Sequence, residues 1–164
     1  MTSFETERVS GVRAALALLA LPLLLLAACT PTPPSGKGLD KDALDQAIGR
    51  AIGDPTTCVI LADRVSGKEV YRYGDAIGCA RTYPACDRPG LMNAIASLQY
   101  AARPDGRTAS CPTAPDGSES VGWAAGRVGG KRDLIYGAVM QGKRSLPGRE
   151  MAARLDNAFS DLGL

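Results

Sequence analysis

Apolar positions from Leu39 onward recur every three or four residues. Leu39, Ala43, Leu44, Ala47, Ile48, Ala51 and Ile52 share one helical face, Asp40 or Asp42 stands at its start, and Gly53-Asp54-Pro55 ends it. The period then changes. Thr56 to Asp63, "TTCVILAD", is a compact β-branched run of strand length, "RVSGKE" supplies a turn, and "VYRYGD" alternates as an antiparallel partner, so a hairpin is predicted. Ala76 to Arg88 reads as a loop. Pro89 suits the first turn of a second helix, with Leu91, Ala94, Ile95, Leu98 and Ala102 as its buried face and Arg103-Pro104-Asp105-Gly106 as its stop. Arg107 to about Ser118 reads as a long polar loop. "SVGWAAGRV" and "DLIYGAVMQG" form a second strand pair, joined by a tight turn at Gly129-Gly130-Lys131-Arg132, which places Trp123 and Tyr136 in the core or in cross-strand pairs. Pro147 opens a last helix whose stripe is Met151, Leu155, Phe159 and Leu162, with Gly163 to cap it. The order α-β-β-α-β-β-α predicts an α/β protein of the α+β kind: one small domain, an antiparallel sheet, and helices on one or both faces.

Ahead of this domain the pattern is different. Ala14 to Ala28 is an unbroken apolar run of 15 residues, shorter than the roughly 20 a spanning helix needs, and of the length of a signal-peptide core. It ends at Cys29. Thr30 to Gly38 follows with Pro31, Pro33 and Pro34 and then Gly36 and Gly38, a composition that resists helix and sheet and predicts a semi-rigid tether. The organisation expected is a signal peptide over 1–28, an anchor and tether over 29–38, and a folded domain over 39–164.

Leu26-Ala27-Ala28-Cys29 resembles the lipobox of bacterial lipoproteins. That resemblance implies a type II signal peptide cleaved before Cys29, a thioether-linked diacylglycerol on its sulfur and a further acyl chain, palmitate or similar, on the new amino terminus. Two or more chains are needed because a single one binds a membrane only marginally. The segment before the apolar run departs from the pattern: Glu5 and Glu7 offset Arg8 and Arg13, whereas a start at Val9 leaves Arg13 alone. The expected location is the membrane of a bacterial envelope, on its periplasmic or exterior face.

The other cysteines are Cys58, Cys79, Cys86 and Cys111. An even number in an exported chain predicts two disulfides, with three connectivities open; Cys86 with Cys111 is the preferred pairing. A metal site is the weaker alternative, since the chain has no histidine, no C-x-x-C, and a Cys79-x6-Cys86 spacing that is not a zinc knuckle.

Charge adds an exclusion. Without residues 1–28 the chain keeps 17 basic and 15 acidic residues, still net +2, and only 5% of the whole is aromatic. Neither a basic patch nor stacking platforms for bases stand out, so no nucleic-acid partner is expected. Gly129-Gly130-Lys131-Arg132 is no phosphate loop, because Ala125 stands where the first glycine belongs. Asp63, Asp75, Asp116 and Glu119 are turn acids, expected to solvate and cap.

Three segments, "VILADRVSGKEVYRYGD", "YPACDRPGLMNAIASL" and "VGWAAGRVGGKRDLIYGAVMQG", resemble the opening hairpin, the entry to the nucleophile helix and the later strands of the penicillin-binding and serine β-lactamase superfamily. Arg107-Thr108-Ala109 stands where its Lys-Thr-Gly strand motif falls. Those enzymes need a serine with a lysine one helical turn away; here Cys86-Asp87-Arg88-Pro89 occupies the place, and no Ser-x-x-Lys occurs anywhere. The resemblance therefore implies an inactive relative that recognises peptidoglycan fragments or β-lactams. A second resemblance, of "ADRVSGKEVYRYGD" and the final helix, is to the haem-binding GlcG and HbpS kind. It implies an axial ligand drawn from Tyr71, Tyr73 or Tyr83 in the absence of histidine.

The expectation is a binding or interaction module without catalysis and without a cofactor. It is held to the membrane through Cys29, with an envelope protein or peptidoglycan as partner. The candidate surface joins the Cys79 to Cys86 loop to the Arg107 to Glu119 loop, with Asp87, Arg88, Arg107, Thr108 and Trp123 as binding candidates.

Overall fold

The computed structural model describes residues 38–164, so the signal peptide, Cys29 and the tether up to residue 37 lie outside the described residues. Helix α1, Lys41–Ile52, starts where Asp40 accepts a hydrogen bond from the Ala43 amide at 3.0 Å. It buries Leu44, Ala47, Ile48 and Ile52, all on the face the spacing predicts. Strands β1, Cys58–Asp63, and β2, Glu69–Tyr73, form the first hairpin. A short helix α2, Ala76–Ala80, follows, then the two-residue strands β3, Tyr83–Pro84, and β4, Leu91–Met92. Next come helix α3, Ala94–Ala101, strands β5, Arg107–Pro112, β6, Ser120–Arg127, and β7, Leu134–Gly142, and helix α4, Gly148–Asp161.

Five strands make one antiparallel sheet in the order β2-β1-β7-β6-β5, and β3 pairs with β4 apart from it. The inner strands are covered on both sides, which is why β1 and β7 read as nearly continuous apolar runs rather than alternating ones. Alternate residues divide between two cores. Val59, Leu61, Tyr136, Ala138 and Met140 pack with Leu44 and Ile48 of α1 and Met151, Leu155 and Phe159 of α4. Cys58, Ile60, Ile135, Val139 and Trp123 pack on the other face with Met92, Ala94, Tyr100 and Ala101. The fold class is therefore α+β, with helices on both faces.

Three stretches differ from the sequence pattern. Ala76 to Arg88, expected as a loop, holds the short helix α2, capped where Asp75 accepts from the Gly78 amide at 2.7 Å, and the strand β3. Pro89 does not open α3: Asn93 caps it, accepting from the Ala96 amide at 2.8 Å, and Pro89-Gly90 belongs to a tight hairpin with Gly90 at φ +105°. The buried face of α3 is Ala94, Ser97, Tyr100 and Ala101, while Leu91 and Ile95 are exposed. Small residues face inward because the helix lies almost on the sheet: a Cβ on Gly137 would come 2.3 Å from Ser97 Oγ and 2.8 Å from the Ala94 carbonyl oxygen. Third, the stretch from Arg107 is no loop as far as Pro112 but the edge strand β5, paired with β6 from Arg107–Ala125 to Pro112–Ser120. It hides from a pattern search because its inward positions hold Arg107, Ala109 and Cys111, and its outward ones Thr108 and Ser110. Ser110 also holds the start of α4, accepting from the Gly148 amide at 2.7 Å.

Candidate functional site

The site is built on two disulfides. Cys58–Cys79 joins β1 to α2, and Cys86–Cys111 joins the tip of the β3–β4 hairpin to the edge strand β5. The second is the pairing preferred from sequence, and the first completes the set. Cys86 has φ +71°, the one positive value at a non-glycine among the described residues. A side chain in that region costs about 1–2 kcal/mol, and Cys86 is kept there by its bridge and by the Ala85 amide donating to the Gly90 carbonyl at 3.0 Å.

Beside this staple an arginine is buried. Arg107 stands on β5 with its side chain only 7% exposed, and its guanidinium grips both carboxylate oxygens of Asp87, the Nε contact being 2.7 Å. The same group donates to the Ala85 carbonyl and lies 3.0 Å from the Met92 sulfur. A buried cation is tolerated only when paired and bonded, and Arg107 is both. The hydrogen bonds from Arg107 hold the Asp87 carboxyl below the usual range for a carboxylate.

The aromatic platform under these charges is Tyr100 of α3. The guanidinium carbons of Arg88, Arg107 and Arg103 lie 4.6, 4.6 and 5.1 Å from the centre of its ring, each within cation–π range. Its hydroxyl is buried and makes no hydrogen bond to the described residues. Arg88 and Arg103 are exposed, and neither has a carboxylate partner among the described residues.

Of the binding candidates from sequence, Asp87, Arg88 and Arg107 converge here. Thr108 is the next residue on β5 and points outward to solvent. Trp123 is 1% exposed, sits in the core on the same side of the sheet, donates from Nε1 to the Pro84 carbonyl at 2.9 Å, and meets Tyr83 edge-on at 6.4 Å. It supports the hairpin from beneath and offers no open platform. Sequence reasoning misses Tyr100 and Arg103. Tyr100 lies in the last turn of α3 and Arg103 just beyond its cap, Ala102, three residues on, which was the available signal.

The other candidates are dispersed. Tyr71 packs in the core under α1 and donates to Asp45 at 2.6 Å, whereas Tyr83 lies against the opposite core. Asp63 and Asp75 accept from the amides of Ser66 and Gly78, which hold their carboxyls low, and the Ser118 side chain and amide do the same for Asp116. Glu119 accepts from Gln141 at 2.9 Å. These acids cap and brace turns, as their positions predict.

A cleft of about 670 Å³ lies elsewhere, lined by Arg127, Lys131, Asp156 and Ser160 among others. Its one acid, Asp156, is pushed up by burial, opposed by the Tyr136 hydroxyl at 3.5 Å. A carboxyl whose folded value is raised costs stability above that value, and the cost disappears once pH falls below its ordinary value near 4. Asp156→Asn is therefore expected to raise the thermal midpoint at pH 7, with the gap to the wild type closing near pH 3.5. A pH-independent difference contradicts this.

Compared with protein-family models, curated proteins and solved structures, the chain matches none.

Proposed function

We propose that the protein is a bacterial envelope lipoprotein, anchored through acylated Cys29, whose folded domain binds a partner and performs no catalysis. The observation that carries this reading is the quartet Leu26-Ala27-Ala28-Cys29 at the end of a 15-residue apolar run. The cysteine inventory supports it. Four of the five cysteines pair with each other, and the fifth is Cys29. Disulfides of this kind belong to oxidising compartments outside the cytosol. A binding role is supported by the convergence of Asp87, Arg88 and Arg107 on a hairpin fixed by a disulfide, since exposed loops on a rigid scaffold are where recognition residues gather. The four cysteines of the described residues are consumed in bridges, and the turn acids Asp63, Asp75, Asp116 and Glu119 are engaged by neighbouring amides or by Gln141.

Labelled palmitate fed to the host is expected to enter the wild-type protein and sediment with membranes. The Cys29→Ser variant is expected to take up no label. Equal labelling of both overturns the anchor.

A second reading, an inactive penicillin-binding-like domain that recognises peptidoglycan fragments, is favoured by one observation. Arg107-Thr108-Ala109 lies on the sheet's edge strand, registered against Trp123 through Ala109. An edge strand offers unpaired backbone groups to an extended peptide.

A further inference from the structure

We infer that Arg88 and Arg103, poised over the ring of Tyr100, form with it a binding site for an oxyanion, the phosphate or carboxylate group of a larger ligand. This inference rests on the binding-module reading and names the chemistry of that same surface.

The cluster holds more positive than negative charge. Three guanidiniums share one tyrosine ring at 4.6, 4.6 and 5.1 Å, and a single carboxylate, Asp87, is bonded among them. The cations therefore lie within about 10 Å of one another, a separation that 0.1 M salt only partly screens. Such a group repels itself unless an anion joins it, and the ring quadrupole offsets only part of the repulsion.

The three arginines divide the labour. Arg107 is spent: it is buried, and its donors are committed to Asp87 and the Ala85 carbonyl. Arg88 and Arg103 are exposed, and neither has a carboxylate partner among the described residues. Apart from the ring, Arg88 contacts the Met92 sulfur at 3.9 Å. Each carries five N–H donors in a planar fork that matches a carboxylate or phosphate bidentately.

The pair is also pre-organised. Arg88 sits on the hairpin stapled by Cys86–Cys111, and Arg103 follows directly on the end of α3, so the two forks are held by elements packed on one sheet. The ring they share carries a hydroxyl that is buried with no protein partner among the described residues, Tyr100 being only 5% exposed. A polar group left in this way is unusual in a folded core.

The test uses the protein purified from membranes in mild detergent, titrated with inorganic phosphate or with glutarate while chloride holds ionic strength constant. The thermal midpoint is expected to rise saturably with at least one of the two. The Arg88→Ala/Arg103→Ala variant is expected to weaken the response at least tenfold. Lys131→Ala/Arg149→Ala, which removes the same charge elsewhere, is expected to keep it. Response to phosphate alone assigns the ligand's group as a phosphate, and response to glutarate alone as a carboxylate. No response to either anion, or equal responses from the two double variants, overturns the site. Should Arg88→Ala/Arg103→Ala lose its near-UV circular dichroism, Arg88→Lys/Arg103→Lys keeps the charge but not the fork, and an undiminished response from it also overturns the site. The mass of the same sample separates the two claims. An acylated protein without anion response sinks the site alone, and an unacylated one that responds sinks the anchor alone.

Discussion

Replacing Cys58, Cys79, Cys86 and Cys111 together by alanine is expected to leave the domain mostly unfolded at 37 °C. The bridges close loops of 21 and 25 residues in sequence separation, for which loss of chain entropy in the unfolded state gives about 3 kcal/mol each. Domains of this size are stable by about 5–15 kcal/mol, so losing both removes a large part of the margin. The two bridges are not equivalent. Cys58 and Cys79 are each 1% exposed and inside the core against the sheet, so Cys58→Ala/Cys79→Ala also leaves a packing defect and is expected to be the costlier pair. Cys86→Ala/Cys111→Ala frees the hairpin tip from its positive φ and is expected to loosen the site before the fold. Urea unfolding with and without reductant reads both effects. An unchanged midpoint under reductant contradicts them.

Arg107→Ala is expected to cost about 3 kcal/mol, in the range for breaking a buried ion pair. The substitution strands the Ala85 carbonyl, removes the charge that fixes Asp87, and takes a guanidinium from the Tyr100 ring. Asp87→Asn leaves the Arg107 guanidinium, only 7% exposed, without its counter-charge, so it is expected to cost as much, about 3 kcal/mol. The pair also has a pH signature. Because the folded Asp87 carboxyl is held low by the Arg107 bonds, its contribution is fully present above pH 4 and is lost as pH falls through the folded value. In Arg107→Ala that part of the acid sensitivity is expected to disappear, as chemical unfolding at pH 7 and pH 3 reads directly. A wild-type-like acid profile in the variant contradicts the assignment.

The legible and illegible parts of the chain differ for physical reasons. Helices α1 and α4 declare themselves because each turns a wide stripe of Leu, Ile, Met and Phe onto the sheet, and the β1–β2 and β6–β7 pairs because their runs are apolar and separated by turn residues. The middle of the chain inverts those signals. In α3 the inward residues are Ala94, Ser97, Tyr100 and Ala101, three of them small since Gly137 brings the helix close, while Ile95, and Leu91 on β4, are exposed. In β5 an arginine fills an inward position, because Asp87 and Tyr100 meet it there. Periodicity weighs large apolar side chains and cannot register either device. Asp87, Arg88 and Arg107 were legible as candidates, the first two because they follow Cys86 and the third because it opens the Arg107-Thr108-Ala109 stretch. Tyr100 joins them only once β5 is known to be a strand that carries Arg107 to the Tyr100 ring.

The most direct test of the account is the intact mass of the protein extracted from its own host's membranes. The account predicts a chain beginning at Cys29, carrying a diacylglycerol and a further acyl group, and lighter by four hydrogens for the two bridges. A mass beginning at Met1, or at Cys29 without acyl groups, contradicts it.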